Sequence, residues 1–291
     1  MFSHLLHPFG NADKAPVSAP AAENRALLIG INYFGTENEL AGCFNDIVNC
    51  HAMLKAAGYT NFYVLCEEQP EMPSELAAAR KGDPTYAAIL AGFDWLSARG
   101  AAVAPQPQGQ PLRLFLHYSG HGSYVADVSG DEADGRDECI CPSDCATAGY
   151  ILDDLMRTRL VDRLPAGARL TALFDSCHSG TILDLKYNML ADVSSRRKQT
   201  ITMTADTHYR DSLADVVVFS GCMDSQTSAD TYLANQNQGA MTYAFLSNLH
   251  HARTLGEMIR GLAVFMKSHG YSQSPRLSTG RQCLLDEAMR V

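Results

Sequence analysis

The sequence has no long apolar segment and no basic cluster at its start. None of its hydrophobic runs approaches the roughly 20 residues of a membrane-spanning helix. The opening MFSHLLHPFG has no basic stretch before an apolar core, which argues against a signal peptide. Phe2 excludes N-myristoylation. We therefore expect a cytoplasmic protein without a membrane span.

An excess of basic residues is also missing, since 23 Lys and Arg against 32 Asp and Glu give a net charge of −9. This balance argues against a nucleic-acid partner and is compatible with basic ligands. The nine cysteines form no regular framework in a chain of 291 residues. Such a pattern favours free thiols in a reducing compartment.

Short apolar runs alternate with segments of helical spacing along most of the chain. This alternation predicts an α/β fold in which a mostly parallel central sheet has helices on both faces. The predicted strands are RALLIGI (25–31), FYVL (62–65), LRLFLHY (112–118), RLTALF (169–174), DVVVFSG (215–221) and a closing strand RQCLLD (281–286). The predicted helices cover 43–58, 83–100, 153–163, 240–250 and 255–269.

The predicted organisation is one globular domain, residues 25–286, preceded by a Pro- and Ala-rich flexible arm, residues 1–24. Segment 185–213 lacks clear periodicity, so we predict a long linker loop there. It would divide the domain into a larger half, 25–184, and a smaller half, 214–286, with 287–291 as a C-terminal tail.

Two predicted strands end in small residues and a reactive side chain. LFLHYSGHGSY (114–124) places His121 between two glycines, and LTALFDSCHSGTILD (170–184) contains Cys177. Because the carboxyl ends of parallel strands meet at one edge of a sheet, we expect His121 and Cys177 to face each other there. A thiol beside an imidazole is the arrangement of cysteine nucleophilic catalysis. The backbone amides of Gly122 and Cys177 are candidates for an oxyanion hole.

Each residue has a plainer explanation when taken alone, as a core cysteine or an ordinary loop histidine. The two glycine-rich strand ends, each holding one partner, favour catalysis. His178 is a rival base, but its side chain is expected to point away from the adjacent Cys177.

The pair HYSGHG and DSCHSG resembles the caspase-like cysteine peptidases, specifically the metacaspases. Animal caspases have Gln-Ala before the cysteine and the histidine about 50 residues upstream; here Asp175 and Ser176 stand before Cys177. The resemblance extends from about residue 25 to 286 and implies a three-layer αβα sandwich of caspase type. Within that family, the sequence is similar to type I metacaspases of protozoan kind without a long prodomain. Further matching motifs are ALLIGINYFGTENELAGCFNDI (26–47), GDEADGRDECICPSD (130–144), ILDD (151–154) and SGCMDSQTSAD (220–230).

The resemblance implies an endopeptidase that cleaves after Arg or Lys with a Cys–His dyad. Carried over by motif, the pocket for the basic side chain would contain Asp46, Ser119 and Asp175. Carboxylates suit this task because a guanidinium or ammonium group needs anionic acceptors. A caspase that cuts after Asp would need arginines there instead.

The resemblance also implies activation by Ca²⁺, held by Asp137, Asp153, Asp154 and Asp184. Carboxylate oxygens from several loops suit this hard cation. An EF-hand does not fit, since Glu132 stands where its invariant Gly belongs. The alternative for these carboxylates is a solvated acidic surface. Cys139, Cys141 and Cys145 lack the paired spacing of a zinc site.

Three consecutive basic residues, Arg196, Arg197 and Lys198, lie in the predicted linker and are candidates for self-cleavage. An ordinary solvated loop explains them equally well. We expect a monomer that acts on protein or peptide substrates. The alternative functions are a catalytically silent scaffold of the same fold and a caspase-like peptidase with non-basic specificity.

Overall fold

We describe the chain from a computed structural model, which covers residues 24–97, 111–126, 136–177, 180–195, 198–222, 230–233, 236–271 and 274–291. The strands are β1 (Asn24–Gly30), β2 (Asn61–Cys66), β3 (Arg80–Gly82), β4 (Arg113–Ser119), β5 (Gly122–Ala126), β6 (Arg136–Ile140), β7 (Ile151–Leu152), β8 (Arg169–Asp175), β9 (Tyr187–Ser195), β10 (Lys198–Ala205), β11 (Asp215–Cys222), β12 (Asp230–Leu233), β13 (Gln236–Gly239) and β14 (Ser274–Thr279). The helices are α1 (Cys43–Ala56), α2 (Ser74–Ala79), α3 (Tyr86–Leu96), α4 (Cys145–Ala148), α5 (Asp153–Arg159), α6 (Ala240–Leu249) and α7 (Leu255–Ser268).

A nine-stranded sheet forms the centre of the molecule, with the strand order β10-β9-β14-β11-β8-β4-β1-β2-β3. The strands from β3 to β11 in this order are parallel to their neighbours. The remaining three, β14, β9 and β10, are added in antiparallel pairs. The carboxyl ends of β1, β4, β8 and β11 therefore lie at one edge of the sheet.

Each face of the sheet is covered by helices, and each contact forms its own apolar core. On one face, Phe93 of α3 and Met156 of α5 pack against Phe174 of β8. On the other face, Ile47 of α1 and Phe245 of α6 pack against Phe115 of β4. Alternate residues of a strand point to opposite faces, which explains why these strands are continuous apolar runs. The predicted three-layer αβα sandwich is confirmed.

Segment 185–213 contains the hairpin β9–β10, so the prediction of a linker loop without strands is wrong. Met189 is buried against the α6 and α7 layer, whereas neighbouring Leu190 is exposed. With only one of its two faces buried and β10 at the edge of the sheet, the hairpin is largely polar and shows no long apolar run. The predicted closing strand at 281–286 is also wrong, because the last strand, β14, precedes it.

Two small sheets lie beyond the central one, formed by β5-β6-β7 and by β12-β13. β5 begins directly after His121, and β13 leads into α6. Both therefore lie close to the carboxyl edge of the central sheet. Within the residues covered above, we find no helix long and apolar enough to span a membrane.

Candidate active site

The neighbouring strands β4 and β8 bring the two predicted catalytic residues to the same edge. Ser119 and Asp175 end these strands and are paired in register. His121 and Cys177 each follow two residues later. Between them, the Gly120 amide donates a hydrogen bond to the Asp175 carbonyl at 3.3 Å. The structure thus places both residues beyond adjacent strand ends.

Gly122 allows the segment after His121 to pack against Cys177. A Cβ atom at residue 122 would lie 1.9 Å from the carbonyl oxygen of Cys177, so a larger residue cannot occupy this position without a shift of the backbone. Cys177 itself is only 5% exposed. The close approach brings the backbone of Gly122, one of the two predicted oxyanion donors, next to Cys177.

The imidazole of His121 is oriented by a backbone carbonyl. Its Nε2 lies 2.8 Å from the carbonyl oxygen of Asn38. Because a carbonyl oxygen only accepts hydrogen bonds, Nε2 carries the proton of the neutral ring and Nδ1 keeps a lone pair. His121 in this tautomer has a nitrogen ready to accept a proton.

Two tyrosine hydroxyls hold the backbone around His121. The His121 amide donates to the Tyr33 hydroxyl at 2.9 Å, and the Tyr118 hydroxyl donates to the His121 carbonyl at 2.7 Å. Tyr33 also donates to the Cys141 carbonyl at 2.6 Å. Burial raises the pKa of both phenols well above the usual range, so they remain protonated donors. A Cβ at Gly120 would lie 2.9 and 3.0 Å from these hydroxyls, which explains a glycine there.

The predicted pocket residues meet on the α1 and α6 face of the same edge. Asp46 is 0% exposed and Asp175 is 4% exposed. The Ser119 hydroxyl donates to Oδ2 of Asp46 at 2.7 Å. A Cβ atom at Gly239 would lie 2.1 Å from Oδ2 of Asp175 and 2.7 Å from Oδ2 of Asp46. The two carboxylates therefore converge on Gly239.

The amides at the start of α6 bind both carboxylates, and the sequence analysis missed them. The Gly239 amide donates to Oδ1 and Oδ2 of Asp46 at 2.9 and 3.0 Å. The Thr242 amide donates to Oδ2 of Asp175 at 2.6 Å. The first amides of a helix have no partners within the helix and attract negative charge. Backbone donors such as these, and the Asn38 carbonyl, have no side-chain signature in a sequence.

The carboxylate pair also acts on a neighbouring thiol. Cys50 lies one helical turn after Asp46 and is fully buried. Burial raises its pKa most, and the charges of Asp46 and Asp175 raise it further. The Cys50 thiol therefore stays neutral.

The predicted calcium ligands include two carboxylates that repel each other inside the protein. Asp137, Asp153 and Asp184 are buried, whereas Asp154 is partly buried. Burial, and then the charge of Asp184, raises the pKa of Asp153 to about 10. A hydrogen bond from the Asp154 amide at 3.0 Å opposes this shift only in part.

Glu138 joins this acidic group, although it was not among the predicted ligands. Its amide donates to Oδ2 of Asp153 at 2.7 Å, and its carboxylate accepts a hydrogen bond from Thr181. The donors are carboxylate oxygens, the type that Ca²⁺ prefers. Across the part of the chain that the structure describes, no three His, Cys, Asp or Glu side chains are already arranged to hold a metal ion. The donor type therefore fits Ca²⁺, but the side chains are not assembled around a single point.

Some predicted residues fall outside the described ranges. Arg196 and Arg197 are among them, and Lys198 opens β10. The rival base His178 and residues 127–135, which form most of the acidic loop, are also outside these ranges.

Comparison with known proteins identifies relatives over most of the chain. A family model described as "Metacaspase, peptidase C14 domain" matches residues 24–186. Metacaspase-1 of Mycosarcoma maydis is 39% identical over 92% of this chain and 73% of the relative. Metacaspase-1 of Pyricularia oryzae is 38% identical over 88% and 71%. Among solved structures, protein GSU0716 from Geobacter sulfurreducens is similar with a TM-score of 0.60 and 23% identity, covering 92% of this chain and 97% of that one.

Proposed function

This chain belongs to the metacaspase family and is a cysteine endopeptidase, and from that premise we propose that it is calcium-dependent, cleaves after Arg or Lys, and uses a Cys177–His121 dyad. The observation that carries the proposal is the pair of buried carboxylates, Asp46 of α1 and Asp175 at the end of β8, which converge near the edge of the sheet where Cys177 and His121 lie. The steps below state what each residue would do.

In the proposed dyad, the Cys177 thiol transfers its proton to Nδ1 of His121. The resulting thiolate attacks the scissile carbonyl carbon, and the amides of Gly122 and Cys177 donate hydrogen bonds to the developing oxyanion. The His121 imidazolium then gives its proton to the leaving amine as the C–N bond breaks. Water hydrolyses the thioester with His121 again as the base. The Nε2 contact with the Asn38 carbonyl supports this proton path, because it leaves Nδ1 as the acceptor.

Specificity for Arg or Lys is supported by the charge of the pocket. Asp46 and Asp175 lie close together, since both carboxylates converge on Gly239. A buried anion gains most when a cation enters beside it. A substrate guanidinium would offset the repulsion between the two carboxylates, whereas an acidic side chain would add to it.

Calcium dependence is supported by the acidic group around Asp153. When bound, Ca²⁺ would supply the positive charge that allows Asp153, Asp184 and their neighbours to be ionised together. Asp137 and Asp154 would complete the donor set, and Glu138 lies within the same group. The carboxylates must shift to converge, so binding is expected to move the segment between Gly180 and Asp184 that follows the nucleophile.

The decisive experiment compares fluorogenic peptides that differ only in Arg, Lys, Asn or Asp before the scissile bond, each with and without millimolar Ca²⁺. We expect turnover of the Arg and Lys peptides only, and only when Ca²⁺ is present. Turnover of the Asp peptide would refute the pocket assignment. A lack of turnover of all four, with the Cys177 thiol intact, would instead favour a catalytically silent scaffold.

A further inference from the structure

Phe34 is a large apolar side chain that the fold holds out into solvent. It is 47% exposed, and it directly follows Tyr33, whose ring centroid lies 4.7 Å from that of His121. Single exposed apolar residues are common on protein surfaces and need no explanation by themselves. The surroundings of Phe34 nevertheless indicate that its exposure has a functional explanation.

The loop around Phe34 has a locally strained backbone that hydrogen bonds hold in place. Tyr33 has a φ of +53°, a left-handed conformation that is unusual for a bulky residue. The Glu67 carboxylate holds this bend by accepting hydrogen bonds from the amides of Asn32 and Tyr33 at 2.9 and 2.7 Å. The Leu40 amide closes the loop on the Asn32 carbonyl at 2.7 Å. Strain that the surroundings maintain in this way is typical of functional segments.

This same loop orients the proposed base. The Asn38 carbonyl contacts Nε2 of His121, and the Tyr33 hydroxyl accepts from the His121 amide. The pocket for the basic side chain lies on the α1 and α6 face, whereas Tyr33 belongs to the core of the opposite face. The segment from Tyr33 to Asn38 contacts His121 at both of its ends, so the backbone of Phe34 lies in the loop beside His121.

The chemistry of peptide cleavage determines what passes this point. His121 must protonate the leaving amine, so the residue that follows the scissile bond has to lie beside the imidazole. Phe34 is the exposed apolar side chain next in sequence to the ring that packs on His121. We propose that Phe34 forms the subsite for the first residue after the scissile bond and selects a large apolar side chain there. The inference rests on the proposed Cys177–His121 dyad.

Three arginine substrates test this proposal. Two are internally quenched peptides that differ only in Leu or Gly after the Arg. The third is a peptidyl-arginine methyl ester, whose methanol leaving group has no side chain to contact Phe34. The variants are Phe34→Ala, the conservative Phe34→Tyr, and Val264→Ala as a control, since Val264 of α7 is 42% exposed and lies outside the site.

For the wild-type protein we expect kcat/KM for the Leu peptide to exceed that for the Gly peptide by about tenfold. Phe34→Ala should reduce this ratio to about one, with the methyl ester changed by less than about twofold, because only the contact to the leaving side is lost. Phe34→Tyr and Val264→Ala should keep the ratio.

An unchanged ratio in Phe34→Ala would overturn the proposal. An equal loss on all three substrates would overturn it as well, because it would place Phe34 in the support of His121. If the wild-type protein cleaves none of the three, the proposed peptidase function fails and the subsite fails with it.

Discussion

At the scale of single residues, the site depends on where negative charge is tolerated. Asp175 lies two residues before Cys177, the proposed nucleophile, where a carboxylate would ordinarily disfavour a thiolate. In the structure its Oδ2 is bound by the Thr242 amide, on the face that carries Asp46. The charge of Asp175 is therefore directed toward α6 and the proposed pocket, and its role can be separated from that of Cys177.

The change Asp175→Asn tests this separation. We expect kcat/KM for an Arg substrate to fall by about 30-fold or more, since loss of one partner of a buried charge pair costs at least about 2 kcal/mol. Alkylation of Cys177 by iodoacetamide should change little. Asp83→Asn, which changes an exposed carboxylate, is the control. A variant that cleaves the Arg substrate normally would remove Asp175 from the pocket.

A second prediction concerns Asp153 in Ca²⁺-free protein. Its folded-state pKa of about 10 lies far above the ordinary value of about 3.9, so the folded state retains a proton that the unfolded chain releases. The free energy of unfolding must therefore fall as the pH rises between about 4 and 10. Asp153→Asn removes this dependence and should raise Tm in EDTA at pH 8, where the wild-type protein is destabilised by the buried carboxyl more than at pH 5.

The same variant should lose the stabilisation that Ca²⁺ gives to the wild-type protein. Thermal unfolding with EDTA and with Ca²⁺, at pH 5 and pH 8, measures both effects. The difference in Tm between the variant and the wild-type protein should be smaller at pH 5 than at pH 8. An equal response of both proteins to Ca²⁺ would place the metal site elsewhere.

At the scale of elements, the β9–β10 hairpin determines how self-cleavage could occur. β9 pairs with β14 on one side and with β10 on the other, and it runs toward the same edge as β8. The proposed cleavage site, Arg196 to Lys198, connects its two strands. A peptide must be extended and unpaired to enter a peptidase cleft, so the end of the hairpin must first open.

Lys267 of α7 holds that end closed. Its Nζ donates to the carbonyls of Val193 and Ser194 at 2.9 and 3.1 Å. Lys267→Met should therefore speed self-cleavage by about fivefold, the equivalent of about 1 kcal/mol for the lost contacts. Gel electrophoresis and mass spectrometry of the fragments in Ca²⁺ give the rate and the cleaved bond.

Two controls accompany this prediction. Cys177→Ala should remain a single chain, and so should a variant with Gln in place of all three basic residues. The fragments should elute together in size-exclusion chromatography, because β9 and β10 both stay in the central sheet. Cleavage at another bond would contradict the assignment of this segment.

The elements also show which parts of the structure a sequence can predict. β1, β4, β8 and β11 are apolar runs buried on both faces, and their alternation with helices was sufficient to predict the layers of the fold. β9 and β10 are exposed on one face, so their alternation is masked by polar residues. Most of the side chains proposed for the site stand in sequence motifs at strand ends. The positions of its backbone groups, the Asn38 carbonyl and the Gly239 amide, depend on bends of the chain that cannot be predicted from residue type.

At the scale of the whole molecule, the two edges of the sheet have different tasks. The carboxyl edge holds the candidate site, and residues near the C-terminus pack on the opposite edge. There the Val291 carbonyl accepts from Arg113 at 2.9 Å and the Arg290 carbonyl accepts from Thr171 at 3.3 Å. The Met289 amide donates to the Arg253 carbonyl at 2.8 Å.

Deletion of residues 289–291, which make these three hydrogen bonds, should therefore lower stability without altering the chemistry. We expect the free energy of unfolding to fall by about 3 kcal/mol, at about 1 kcal/mol for each lost hydrogen bond. Urea denaturation measures this loss. The kcat/KM of the folded fraction for an Arg substrate should stay the same at low temperature. A variant of normal stability with greatly reduced kcat/KM would show that the two edges are coupled.

The spacing between Asp175 and Cys177 has a consequence for length as well as charge. Asp175 ends β8 and Cys177 lies two residues later, past the end of the strand, so the local fold fixes the distance between the anion and the sulfur. Under the proposed function, a basic side chain must be long enough to cross this distance. A four-carbon stem with a terminal cation has that length. A shorter basic side chain such as that of ornithine carries the same charge but falls short of Asp175. The enzyme would then discriminate against it by reach alone.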